Sequence, residues 1–325
     1  MDAALLGDIS RNLIIGATLT YIVAWMAFGA EFAIRRSRLR GENRESVVVG
    51  TGASASSGRA DVASTAAEPS TSTTGENELD GADRMGRIGL SVTVLATVLL
   101  GAGVLVRTLA VERAPWGNMY EFSITGALIA SVVFVATART RVGRAVAVWL
   151  VLLLLITVGL AVSVLYVPPG PLVPALQSYW LVLHVGLAVL AFGLFTVAAV
   201  VNGLQIAAER RERQGRMSSL PAAASLDRLA YRLIAVAFPV WTVGPLILGA
   251  VWAEVSWGRY WGWDPKEVWA LITWLVYAAY LHARATAGWK GAKASVVSLV
   301  GYGTVLFSYF AVNIIFNGLH SYGGV

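Results

Sequence analysis

Residues 88–110 read IGLSVTVLATVLLGAGVLVRTLA, and Arg107, near the far end, is the one ionisable side chain in the stretch. A helix rises about 1.5 Å per residue, so roughly 20 apolar residues match a hydrocarbon core of about 30 Å. The stretch therefore reads as a membrane span. Seven others of the same kind lie at residues 12–34, 119–138, 145–167, 180–208, 229–252, 265–285 and 295–317. The expected fold is an all-α polytopic membrane protein with about eight transmembrane helices. Composition agrees: the 325 residues are 57% hydrophobic and 14% charged, too apolar for a soluble domain of this length.

A net charge of +6 would suggest a nucleic-acid partner in a soluble protein. Here the basic residues fall in short connections and alternate between the two sides. One side receives Arg35, Arg36, Arg38, Arg40, Arg44, Arg84, Arg87, Arg139, Arg141, Arg144, Arg210, Arg211, Arg213, Arg216, Arg228, Arg232, Arg284, Lys290 and Lys293. The other receives Arg11, Arg107, Arg113, Arg259 and Lys266. They read as orientation signals, which place both termini on the extracytoplasmic side and imply contact with lipid and no nucleic acid. The first span has neither a basic leader nor an Ala-x-Ala exit site, so it reads as a retained helix. Residues 45–83 contain no Phe, Trp or Tyr and are rich in Ser, Thr, Ala and Gly. Such a segment buries too little apolar surface to offset its ordering entropy. The expected organisation is a first helix and basic end over 1–40, a disordered cytoplasmic linker over 41–86, and a core of seven transmembrane helices over 87–325.

Cysteine is absent, which excludes disulfides, iron–sulfur clusters and thiolate chemistry. The three histidines are His184, His282 and His320. The densest aromatic signal is Trp257-Gly258-Arg259-Tyr260-Trp261-Gly262-Trp263-Asp264-Pro265-Lys266-Glu267. Its four large aromatics and two interleaved glycines suit a flat apolar ligand, with an interfacial aromatic belt as the plain alternative. Asp264, Pro265 and Glu267 form a helix-start signature, so Asp264 reads first as a cap. His184, about four residues inside the fifth span, and His320, just beyond the eighth, fall on the same face as this loop. Together they fit two axial ligands of a haem iron; singly, each could be an ordinary polar residue at a membrane edge. His282 lies about 27 Å from Asp264 along one helix, near the cytoplasmic end, and cannot reach the same iron. It is either an inner haem contact or a side chain snorkelling beside Arg284.

The pattern W-G-x-x-W-x-W-D-P-K-E-x-W from Trp257, followed by Leu281-His282-Ala283-Arg284, resembles the tryptophan-rich signature of haem-handling membrane proteins. The Asp-Pro-Lys-Glu continuation and the single-histidine C-terminus make it similar to the CcsA/ResC type, also called CcsB, of System II cytochrome c biogenesis. Residues 115–122 and Gly318-Leu319-His320-Ser321-Tyr322 share the resemblance, which covers roughly residues 85–325. It implies haem b at an outer site, with His184 and His320 as axial ligands. The porphyrin would be cradled by Trp257, Gly258, Arg259, Trp261, Gly262, Trp263 and Asp264, with His282 at a second, inner haem site. Arg259 and Lys266 could pair with the propionates or be ordinary solvated loop cations. The resemblance further implies a ResB-type membrane partner, apocytochrome c, a thioredoxin-like apocytochrome reductant, and a bacterial cell membrane. On this reading the chain is the haem-transporting and haem-presenting subunit of a holocytochrome c synthase and supplies no catalytic nucleophile. The alternatives are a haem exporter or carrier without a part in thioether formation, and a structural assembly subunit.

Overall fold

In lipid, backbone N–H and C=O groups find no water, so an apolar segment must satisfy them internally as a helix. All eight expected segments are helical in a computed structural model, which describes residues 2–52, 72–171, 176–316 and 318–320, and no strand occurs among them. The order is α1 Ala3–Gly52, α2 Ser72–Val111, α3 Met119–Thr137, α4 Arg141–Ala145, α5 Ala147–Ser163, α6 Tyr179–Arg213, α7 Ala223–Trp241, α8 Gly249–Trp257, α9 Pro265–Thr286, α10 Ala292–Leu306 and α11 Val312–Ile315. Two π-helical turns, Thr242–Leu248 and Phe307–Ala311, join α7 to α8 and α10 to α11. The protein is an all-α polytopic membrane protein.

The count of eight spans is not met by length and composition. Six helical stretches qualify: Ala3–Leu39, Asp80–Val111, Met119–Thr137, Tyr179–Arg213, Ala223–Trp257 and Ala292–Ile315. The fourth expected span shortens to the 17 residues of α5, because the chain breaks into the separate turn α4 before it. The seventh, α9, is 22 residues long but carries Lys266, Glu267 and Arg284, which lower its apolar content.

The expected linker over 41–86 is also narrower than its composition suggested. Helix α1 continues to Gly52 and α2 begins at Ser72; residues 53–71 lie outside the described residues. Extending an existing helix needs no new nucleus, so polar residues can follow an apolar span in helical form. An ion-pair cluster ties the two helices where they leave the apolar region. Arg35 pairs with Glu31 at 3.0 Å and with Asp83 at 2.5 Å, and Arg144 approaches Glu31 at 3.6 Å.

Contacts between side chains stand in for a hydrophobic effect that lipid does not supply, and polar groups serve as glue. Between α6 and α10, Asn202 donates to Ser298 at 2.9 Å, and the Ser295 hydroxyl lies 2.8 Å from both the Asn202 and the Gln205 carbonyl oxygens, to either of which it can donate. Phe195 stacks on Tyr277 with ring centroids 4.0 Å apart, joining α6 to α9.

A chain of contacts links the start of α1 to the end of the bundle that holds His320. Arg11 lies over the Tyr166 ring, and Gly7 packs on Pro169. Arg107 donates to the carbonyl of Val167 and pairs with Glu121, which accepts from Gly117 N–H beside the cavity that also holds His320. At the opposite end Arg284 makes a two-pronged pair with Asp227 at 2.7 and 3.0 Å, both side chains about nine-tenths buried.

Two measurements test this layout. In a chain without native cysteine, Gly170→Cys should react with a membrane-impermeant maleimide in intact cells, and Met217→Cys only after lysis; the reverse pattern inverts the topology. Asp227→Ala should cost the detergent-solubilised chain on the order of 3 kcal/mol of stability, seen as a lower thermal midpoint, because it leaves a buried guanidinium unpaired.

Candidate functional site

The site grows from the start of α9. Asp264 caps the helix, accepting from Lys266 N–H at 3.2 Å, while Glu267 reaches back to the Asp264 N–H at 3.0 Å and to the Gly262 N–H at 2.8 Å. This is the capping box that the sequence announces. The same carboxylate also accepts from Leu319 N–H at 2.6 Å and from His320 Nδ1 at 2.7 Å. One side chain thus starts a helix and pins the C-terminal segment onto it.

His184 stands in the second turn of α6, and its Nδ1 lies 3.0 Å from the Gly244 carbonyl in the first π-turn. Gly249 leaves room for the imidazole: a Cβ there would sit 2.9 Å from its Cε1. Both histidines flank one indole. The Trp252 ring is parallel to His184 at 5.8 Å and tilted against His320 at 5.6 Å, and Trp257 meets His320 edge-on at 5.1 Å. A carbonyl and an ionised carboxylate can only accept, so in both rings Nδ1 carries the proton and Nε2 the lone pair.

These groups line one cavity of about 1200 Å³, its open mouth included. Its walls are Trp116, Trp252, Trp257, Tyr260, Trp261, Phe122 and Phe192, with His184, His320, Lys266, Glu267, Asn118 and Asn313 as the polar groups. Burial is the largest influence on both members of the Asp264–His320 pair. It pushes the His320 imidazole below its ordinary value, and the bond to Asp264 only partly opposes this. Burial alone would raise the Asp264 carboxyl, but the hydrogen bonds from His320, Leu319 and Lys266 outweigh it and hold the group below the usual carboxylate value. The pair is a carboxylate accepting from a neutral imidazole.

The structure brings together His184, His320, Trp257, Trp261 and, through its bond to His320, Asp264. It separates others. Trp263 points out at 72% exposure with φ at 57°, touching Trp261 edge-on, and does not line the cavity. Arg259 is exposed and folds over Gly262, where a Cβ would meet the guanidinium at 2.5 Å, so that glycine clears a side chain of the same loop. Gly258 ends α8 in the left-handed region at φ 71°, a cap position that suits glycine. His282 is exposed near the opposite end of α9.

Two further cavity residues are Trp252, at the end of an apolar span, and Trp116, in the aromatic stretch 115–122 after α2. The latter is placed by a buried cluster: Glu121, fully buried, takes Arg107 at 2.9 Å, Arg113 at 2.7 Å and the Gly117 N–H at 2.8 Å. Asn118 caps α3 beside it, accepting from Glu121 N–H. Ser321 and Tyr322 lie outside the described residues.

Fold and cavity define a class: an all-helical, multi-pass membrane protein with an aromatic pocket bearing two imidazoles at one end. Residues 116–320 match the family model described as "Cytochrome C assembly protein", and the chain belongs to that family. Its role is accordingly in cytochrome c maturation. Among curated relatives, "Cytochrome c biogenesis protein CcsA" of Trieres chinensis is 34% identical over 273 residues, 74% of this chain and 87% of the relative. The protein of the same name from Gloeobacter violaceus is 32% identical over 292 residues, 73% of this chain and 86% of the relative. That of Chlamydomonas reinhardtii is 44% identical over 154 residues, 47% of this chain and 43% of the relative. A solved structure titled "Cytochrome c Heme Lyase CcmF" superposes with a TM-score of 0.58 at 16% identity, over 95% of this chain and 47% of that one. The likeness is one of fold, and this chain spans about half that protein's length.

Asp264→Ala should destabilise the chain by more than the roughly 1 kcal/mol of a lost cap, because it also strips His320 Nδ1 of its acceptor. Asp264→Asn, which can still cap, should cost less in the same thermal melt. Acid should weaken the native state in two stages. His320 binds its proton less readily when folded, so stability is full above 6.5 and declines as pH falls from there towards the folded value. Asp264, depressed below 3.8, contributes stability that is lost as pH falls through its own lower folded value. Melts of the porphyrin-free chain at about pH 7.5 and about pH 5 should show the first decline, and His320→Asn should flatten it.

Proposed function

We propose that the outer cavity holds haem b, with His184 and His320 as its axial ligands through Nε2, and presents it for covalent attachment to apocytochrome c. The observation that carries this reading is the placement of both imidazoles on one indole, each with Nδ1 committed to a group that can only accept. Metal-binding histidines commonly have their other ring nitrogen held in this way. Two imidazoles alone make a poor site for a bare ion but suit a metal that brings four equatorial nitrogens of its own. The surrounding indole and phenyl faces offer a planar apolar macrocycle the stacking surface it needs.

Haem is substrate here, to be delivered and not retained. Each thiol of a Cys-x-x-Cys-His segment adds S–H across a vinyl C=C, forming a C–S bond and placing the proton on the neighbouring carbon, with no net oxidation. The chain's contribution is positioning and exclusion of water, with no nucleophile of its own. A ResB-type partner would complete the synthase in the bacterial cell membrane, and a thioredoxin-like reductant would keep the apocytochrome thiols free. His282, exposed at the inner end of α9, is where such a partner could hand haem to this chain.

The test is absorption spectroscopy of the purified chain expressed with its partner. Wild type should show a six-coordinate bis-imidazole spectrum. His184→Ala and His320→Ala should each lose those bands, with an added imidazole ligand restoring them. Unchanged haem content and bands in both variants would remove the site assignment. Haem delivered outside by a chain whose absence leaves thioether formation intact would favour the exporter.

A further inference from the structure

The cavity wall contains a cation, Lys266, that no carboxylate among the described residues pairs with. Lys266 follows the Asp264 cap in the first turn of α9 and lines the cavity with both histidines. Its Nζ donates to the Asn313 Oδ1 of α11, and that amide is fixed in turn because its Nδ2 donates to the Tyr309 carbonyl at 2.7 Å. An ammonium has three N–H donors, and the structure gives this one a single neutral acceptor. Among the described residues no carboxylate pairs with it. The two nearest acids in sequence are committed elsewhere: Asp264 to Lys266 N–H, Leu319 N–H and His320, and Glu267 to the Gly262 and Asp264 N–H groups.

A part-buried ammonium without a counter-ion is costly unless a ligand supplies the charge. Nothing local makes lysine necessary at this position, because the cap works through the backbone N–H and not through the side chain. The position is also held from both sides, by the capping box below and by Asn313 across the groove.

We infer that Lys266, held by Asn313, is the carboxylate-recognising residue of the cavity, so that the site selects a porphyrin bearing a free propionate. The inference rests on the haem reading of the cavity. It also assigns recognition to Lys266 and not to Arg259, which is exposed over Gly262 and does not line the cavity.

The test is binding of haem and of haem dimethyl ester, whose propionates carry no charge, to the purified full chain in lipid nanodiscs. Wild type should prefer haem by about tenfold or more, the scale of a charge-assisted hydrogen bond. Lys266→Gln should abolish that preference by weakening haem while ester binding persists, which also reports that the variant is folded. Lys266→Arg should recover part of it. A preference that survives in Lys266→Gln, or that falls in Arg259→Gln instead, overturns the inference alone. Loss of both porphyrins in Lys266→Gln makes the lysine structural and likewise overturns it. A wild-type chain that binds neither porphyrin overturns the haem reading and this inference with it.

Discussion

The arrangement at the outer end depends on how many N–H groups one carboxylate can satisfy. An ionised Asp has about four lone-pair sites on two oxygens. Asp264 gives one oxygen to the backbone of Leu319 and the other to the backbone of Lys266 and the ring of His320. Helix initiation, attachment of the C-terminal segment and orientation of an imidazole are therefore a single event. Without the cap, α9 has no fixed start, the aromatic loop before it has no anchor, and His320 has no reason to face Trp252 and Trp257. The group is confined in turn: a Cβ on Gly318 would fall 2.5 Å from the Asp264 Oδ1.

The opposite wall solves the same problem with backbone. Among the described residues His184 has no acidic partner; it uses the Gly244 carbonyl, which lies in a π-turn that also contains Pro245. Proline lacks an N–H and disrupts the regular ladder, and a π-turn widens the helix so that carbonyls can serve partners outside it. The second π-turn, Phe307–Ala311, places Ser308 and Tyr309 on the cavity and lets Tyr309 bond Ser123 at 2.7 Å and the Met119 carbonyl at 2.8 Å. Irregular backbone at membrane depth is tolerated where it lines a cavity, and both irregular turns here do so.

What the sequence made legible follows from range. Apolar runs and the capping box are local patterns; the runs are helical, though six and not eight qualify as spans, and the capping box is present as read. The shared depth of His184 and the tryptophan loop was also accessible, because residue rise and span position fix it. Tertiary bonds were not. Asp264 and His320 are 56 positions apart, and no periodicity links an acid in one loop to an imidazole in another. Trp252 escaped for a similar reason, since a tryptophan ending an apolar span looks the same whether it meets lipid or a ligand. Residues with no core to join can still continue a helix that another segment has nucleated, as at both edges of the expected linker. The resemblance implies a cradle that includes Trp263 and Gly262. Loop curvature turns one outward and sets the other under Arg259.

The two imidazoles are unequal by construction. A ring that donates Nδ1–H to a carboxylate gains electron density at Nε2, whereas one that donates to a carbonyl gains less. His320, backed by Asp264, is thus the more basic nitrogen donor, and His184, backed by Gly244, the less basic. Their mechanical settings differ in the same sense. His184 sits inside a long helix packed against a π-turn, while His320 hangs from a short segment held by Leu319 and the Asp264 contact. The two walls of the cavity are therefore held by different kinds of bond: His184 by the backbone of a packed helix, His320 by a carboxylate that also starts α9.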